Sequence, residues 1–148
     1  MQVKIKKLVP EAVIPTRARP GDAGLDLTAT SVTVTPDYME FGTGLAIEIP
    51  VGKVGLMFAR SSISKMAHSI ANSVGVIDAP FRGEIKVRMR WKKTQDNLGY
   101  TMPDGQVYKV GHKVAQLVIV DCWQGELTEV DTLSETSRGS GGFGSTGT

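Results

Sequence analysis

Short runs of alternating apolar residues, each cut off by glycine or proline, constrain this chain more than any other feature. Val3, Ile5 and Leu8 open the first run, and Pro10, Pro15 and Pro20 then keep the backbone extended and non-helical. Residues 31–35 alternate cleanly, and the runs 45–50 and 54–58 flank a turn at 50–53. The run 85–91 places Lys86, Arg88 and Arg90 on one face, read most simply as solvated. Residues 108–120 are a turn at Gly111 followed by a buried strand, where Gln116 needs a hydrogen-bonding partner or a cavity. Closely spaced short strands with this punctuation predict an all-β sandwich, jelly roll or barrel. One helix is predicted to interrupt it. Ile63, Met66, Ala67 and Ile70 recur at i, i+3, i+4 and i+7, with Ser61 or Ser62 as N-cap.

At 148 residues the chain is long enough for one well-cored domain and short for two. A net charge of +2, from 17 basic and 15 acidic residues, is no nucleic-acid footprint, so an anionic ligand must meet a local cluster of Arg and Lys. The single Cys122 excludes an internal disulfide and is expected to be a buried packing thiol. Two isolated histidines, His68 and His112, cannot build a structural zinc site alone. No apolar run reaches the length of a membrane span, and a cytoplasmic protein is the expectation.

Residues 72–87 carry the chemistry. Val74, Val76 and Ile77 lead into a turn, and Ile85 and Val87 lead out of it, as two arms of a hairpin. Pro80 fixes φ and Gly83 permits tight turning, so Asp78, Phe81 and Arg82 project from a stiff scaffold. A carboxylate, an aromatic face and a cation together suit a nucleotide site; a surface turn with a capping Asp stays open on this segment alone. Arg60 beside Ser61 and Ser62 would sit at a helix N-terminus, where anions bind, although capping serines are common without any ligand. The glycine-rich end, 138–148, reads by composition as a flexible tail. Its Arg138, Phe143, Ser145 and Thr146 also make a phosphate-and-base kit on permissive backbone. Residues 94–107 are polar and turn-rich, a loop or small hairpin that offers little to a core and is expected to be dispensable for catalysis.

Taken in order, residues 23–27 (Ala-Gly-Leu-Asp-Leu), 60–62 (Arg-Ser-Ser), 72–83, 111–117 and 138–147 resemble the trimeric dUTP diphosphatases, the dUTPases. The resemblance implies a jelly-roll-like β subunit, a homotrimer with shared active sites, hydrolysis of dUTP to dUMP and pyrophosphate, and Mg²⁺ held by triphosphate and water. It divides the chain into a β domain over 1–137 and a C-terminal arm over 138–148 that closes on an active site. Asp78 then looks like the carboxylate that activates water, and Phe81 stands where an aromatic excludes a ribose 2′-hydroxyl. Asn72 with the backbone of Gly75, Val76 and Ile77 would read uracil. Arg60, Ser61, Ser62, Lys86 and Gln116 would contact substrate phosphates and their surroundings. From the arm, Arg138, Gly142, Gly144, Ser145 and Thr146 would close over phosphate while Phe143 stacks on the base. Asp26 is the acid near the phosphates and metal, acting through water.

Three features depart from the family pattern. His112-Lys113 stands where Asp-Arg is usual, Ala79-Pro80 where polar residues are common, and the 94–107 excursion is longer than a plain connection. The excursion is a candidate surface for a regulatory protein. Two rival readings fit the residues less well. A dCTP deaminase would carry a general-acid/base glutamate where Arg88 stands, and a non-catalytic regulatory β domain would have no use for Asp78, Arg138 and Phe143 together.

Overall fold

The computed structural model describes residues 2–92, 94–96, 99–101 and 106–142. Among them, alternating residues form antiparallel ladders. β1 (Lys4–Lys7) pairs with β5 (Leu45–Glu48) at the start of the chain. One four-stranded sheet runs in the order β2 (Leu25–Thr28), β12 (Lys113–Asp121), β6 (Lys53–Phe58) and β8 (Gly75–Ile77). The second runs β3 (Ser31–Val34), β4 (Met39–Gly42), β9 (Lys86–Trp91) and β7 (His68–Ile70). A separate hairpin joins β10 (Thr94–Asp96) to β11 (Gly99–Thr101).

The two sheets share one core, as facing sheets must when each is apolar on its inner side. Leu27 and Leu117 from the first sheet pack in one cluster with Phe41, Val87 and Met89 from the second, all essentially inaccessible. Gly55 of β6 lets the layers close up: a Cβ there would sit 3.2 Å from both Ile77 Cβ and Leu117 Cδ1. The fold is therefore the expected jelly-roll-like β-sandwich. Among the described residues no helix is long and apolar enough to cross a membrane.

Three local expectations are corrected. The helix predicted from Ile63 to Ile70 is absent; a 3₁₀ turn, Ser61–Lys65, is followed directly by β7. The apolar spacing serves two elements: Ile63 and Met66 pack partly under the turn, while His68 and Ile70 alternate with exposed Ser69 as a strand. The residue before the turn is Arg60, and neither serine caps it. Second, the arms of the 72–87 hairpin do not pair with each other. β7 and β9 pair at its base, up to the Ala71 N–H donating to the Arg88 carbonyl at 2.9 Å, but β8 then pairs with β6 in the other sheet. Third, Cys122 is half-exposed at the end of β12, because the chain leaves the sheet after Asp121.

Leu117 lies on the central β12 at 1% exposure, so Leu117→Ala opens a cavity that rigid strands on both sides cannot fill. We expect a loss of about 2–5 kcal/mol, read as a lower midpoint in chemical denaturation.

Candidate active site

The split of the hairpin between two sheets leaves a groove of about 1050 Å³. Asn72, Gly75, Val76, Ile77, Asp78, Phe81 and Lys86 all line it. Ser73 turns the chain there, at φ 61°, a left-handed conformation uncommon for a side-chain-bearing residue. Gly75 then runs close over Met57, whose Cε would lie 2.7 Å from a Cβ at position 75. Asp78 is exposed to the groove, and the Phe81 N–H donates to the Asp78 carbonyl at 3.1 Å, closing the turn between them. The far wall belongs to the second sheet. Glu40 accepts from Lys86 Nζ at 2.8 Å and from Arg88 Nε at 2.6 Å, and the Arg88 guanidinium lies 4.7 Å over the Tyr38 ring. These hydrogen bonds from Lys86 and Arg88 hold the Glu40 carboxyl below its usual range and raise both cations. Lys86, Arg88 and Arg90 are exposed as expected, with Val87 and Met89 buried between them. Lys86 and Arg88 are nonetheless paired rather than merely solvated.

A second cluster sits at the other end of β6. Asp26, Gln116 and Phe58 are in register across β2, β12 and β6, which brings Arg60, just past β6, to Asp26. Asp26 Oδ1 accepts from Arg60 Nε at 2.7 Å and its Oδ2 meets Lys113 Nζ at 2.8 Å. The β12 ladder slips between Lys113 and Ala115, a bulge of the kind that re-aims a side chain. Burial works against the Asp26 charge, but hydrogen bonds and proximity to Lys113 and Arg60 outweigh it, leaving the carboxyl below its usual range. Gln116 finds the partner its position demanded, donating Nε2 to the Ala59 carbonyl at 2.8 Å. Its Oε1 fills the space beside Gly24, where a Cβ would approach to 2.2 Å.

The dUTPase family model matches residues 10–147. The chain belongs to the dUTPase family. A deoxyuridine 5′-triphosphate nucleotidohydrolase of Corynebacterium diphtheriae is 45% identical over 148 residues, covering 98% of this chain and 92% of that protein. One from Rhodococcus erythropolis is 39% identical over 150 residues, covering 99% and 87%. Among solved structures, a Staphylococcus bacteriophage 80alpha dUTPase mutant with dUpNHpp superposes with a TM-score of 0.81 at 29% identity, covering 99% of both chains. A dUTPase mutant from phage phi11 of S. aureus, described as coordinating a structural Mg(II) ion, gives a TM-score of 0.71 at 28% identity, covering 89% of this chain and 98% of that one.

The dUTPase segments are thus sorted by the fold rather than gathered at one point. The 72–83 segment lines the groove; the 23–27, 60–62 and 111–117 segments form the Asp26 cluster. Ser61 is exposed, whereas the Ser62 hydroxyl shares a 2.8 Å hydrogen bond with Tyr108. Arg138 is exposed and donates Nε to the Gly141 carbonyl at 2.9 Å, within its own turn, and Gly142 is half-buried. Phe143, Gly144, Ser145 and Thr146 lie outside the described residues.

Sequence reasoning missed several contributors. Tyr108, buried at 4%, ties the 3₁₀ turn through Ser62, and two more contacts clasp the same segment: Lys92 Nζ donates to the Ile63 carbonyl at 3.1 Å, and the Ala67 N–H donates to the Gln106 carbonyl at 2.9 Å. The 94–107 excursion is therefore anchored to the segment that carries Arg60 and the serines. Removing all of it would take Gln106 as well, a cost its polar composition did not reveal. Its hairpin is present in β10 and β11, while residues 97, 98 and 102–105, part of the expected partner surface, lie outside the described residues. Lys113 was visible as a departure from the usual Arg, and its pairing with Asp26 shows that a cation is kept. Glu40 faces Arg88 across β4 and β9, a pairing that only the register of those strands reveals.

The lowered carboxyl of Asp26 sets a pH signature. Its charge stabilises the fold above the ordinary carboxylate pKa, about 4, and that contribution is lost as pH falls through the lowered folded-state value. Asp26→Asn should lower the thermal midpoint at pH 7, where Arg60 and Lys113 lose their counter-charge, and the deficit should shrink progressively as pH falls below about 4. Melting curves of both proteins across that range test the difference.

Proposed function

We propose that this chain hydrolyses dUTP to dUMP and pyrophosphate, limiting uracil incorporation into DNA and supplying dUMP. The observation that carries the reading is Asp78 beside Phe81 in a groove of nucleotide size, within a chain that matches the dUTPase family over residues 10–147. Asp78 is the general base. It takes a proton from water as the water oxygen bonds to the α-phosphorus, and the bond to the α,β-bridging oxygen breaks, releasing pyrophosphate. The Phe81 ring takes the volume a ribose 2′-hydroxyl needs, and Asn72 with the 75–77 backbone reads the base. Arg60, Ser61 and Gln116 meet the phosphates, with Ser62 beneath them on Tyr108.

Mg²⁺ carried by the triphosphate would neutralise phosphate charge. We assign it to phosphate oxygens and water. Among the described residues no three His, Cys, Asp or Glu side chains converge, and Asp26 already binds Arg60 and Lys113 through its two oxygens. That donor set suits an ion that keeps most of its waters, with Asp26 reaching it through one of them. A cytoplasmic location follows from the nucleotide substrate.

The active unit is assigned as a homotrimer with shared sites. Ile77 lies opposite Gly55 near one end of β6, while Arg60 follows its other end. Five residues of extended chain separate 55 from 60, roughly 16 Å at the usual strand rise. A base at one end cannot serve phosphates held at the other, so the Asp78 loop of one copy serves the Asp26 cluster of a second. The segment after β12 supports the same reading, since Trp123, Leu127, Val130 and Leu133 are all exposed, Leu127 at 92%. Beyond it, the 138–148 arm closes over bound substrate, with Arg138, Ser145 and Thr146 on phosphate and Phe143 on uracil.

Asp78→Asn should lower kcat at least about 100-fold while dUTP binding survives, because the amide keeps the shape and loses the base. Turnover measured beside equilibrium binding decides; parallel loss of both would make Asp78 a turn residue. Mixing Asp78→Asn with a chain truncated before Arg138 should restore activity well above either alone. Mixed trimers, verified by mass, that stay inactive would exclude sites shared between a loop and an arm of different chains.

A further inference from the structure

The loop that carries Asp78 and Phe81 is tied down where it ends, through Glu84 and Ile85, which line the same groove but have no part in the proposed chemistry. The Gly44 N–H donates to Glu84 Oε1 at 2.8 Å. The fully buried Thr43 hydroxyl donates to the Ile85 carbonyl at 2.7 Å, and the Ile85 N–H donates to the Leu45 carbonyl at 2.8 Å. The turn offering that N–H needs a glycine: Gly44 has φ +64°, and a Cβ there would run into Val9 at 2.4 Å.

The tie reaches Phe81 through one residue. A Cβ on Gly83 would meet Phe81 Cζ at 2.7 Å and Cε2 at 3.0 Å, so the ring lies directly against the Gly83 backbone. Phe81 is 43% exposed, so its ring is covered on part of its surface only. Inside the loop, the Arg82 guanidinium turns back onto the carbonyls of Ala79 and Phe81, which stiffens the loop without anchoring it to a sheet. The anchor is Glu84. Its second oxygen lies 4.0 Å from Lys86 Nζ, a loose contact beside the Gly44 bond, and Lys86 is already held by Glu40.

We propose that Glu84 is a positioning residue that sets the sugar selectivity of the site, by fixing through Gly83 the place of the Phe81 ring. The selectivity part rests on the reading of Phe81 as the group that excludes a 2′-hydroxyl; the positioning part does not. What Glu84 supplies is an acceptor oxygen at a set distance. Glu84→Gln keeps that oxygen, whereas Glu84→Ala removes it and leaves the Gly44 N–H to water.

The test measures kcat/KM for dUTP and for UTP with wild type, Glu84→Ala, Glu84→Gln, Phe81→Ala and the Phe81→Ala/Glu84→Ala double variant, together with amide hydrogen exchange over residues 78–84 without substrate. Glu84→Ala should shrink the dUTP-over-UTP ratio about tenfold or more, and Glu84→Gln should stay within about threefold of wild type. In the Phe81→Ala background Glu84→Ala should change the ratio no further, and exchange over 78–84 should quicken in Glu84→Ala. A general weakening of the fold would lower both substrates together and leave their ratio alone. An unchanged ratio in Glu84→Ala, or an equal fall in Glu84→Gln, overturns the proposal. Unchanged exchange overturns the positioning itself, whatever the substrates show. If only Phe81→Ala leaves the ratio unmoved, the reading of the ring fails and not the tie. Should Glu84→Ala not fold, Glu84→Asp, which draws the carboxylate back from Gly44 by one methylene, is read by the same criteria.

Discussion

Much of this molecule depends on where two paired strands part. β7 and β9 run together until Ala71 bonds Arg88, and Ser73 in a left-handed conformation then sends the chain across to β6. Had that register continued, Gly75 to Ile77 would have lain against residues 82–84, and the two arms would have closed on each other. Because β8 joins the first sheet while β9 stays in the second, the loop between them has to bridge the layers. It carries Asp78 and Phe81 across that gap. On one side of the opening the lost pairing is replaced, because β8 pairs with β6 instead.

The electrostatics follow the same division. Each end of the sandwich holds one half-buried carboxylate between two cations: Asp26 between Arg60 and Lys113, Glu40 between Lys86 and Arg88. In both cases the acid is the less exposed partner, which keeps the cations near the surface and oriented. On the proposed reading, a phosphate chain arriving at the Asp26 cluster would meet guanidinium and ammonium groups already held in place, with less side-chain freedom left to lose on binding. The near-zero net charge of the whole chain hides this, because the useful charge is local.

Much of this was legible in the residues, and the failures share one cause. Strands with strict alternation, such as β6 and β9, were readable because a period of two suits a half-buried strand and little else; β3 alternates as cleanly but is exposed throughout. The Arg60 and Asp78 segments stood out by residue type, and the structure places the first at the Asp26 cluster and the second on the groove. The errors arose where partner choice decided the outcome. Residues 63–70 match a helical period, yet their apolar positions split between a 3₁₀ turn and a strand once β9 is available to pair. The 72–87 arms read as a hairpin because nothing local says that Gly55 would make β6 the better neighbour for β8. Tyr108 and Glu84 were missed on the same ground, for each acts through a bond to a residue more than 35 positions away.

The placement of Asp78 and Arg60 toward opposite ends of β6 reaches into the behaviour of the protein in dilute solution. If sites are shared between copies as proposed, catalytic competence is tied to association, and the active fraction becomes a function of subunit concentration. Newly made chains at low abundance would then be silent, and output would rise more steeply than the amount of protein. Subunit supply then acts as a threshold, with no effector required.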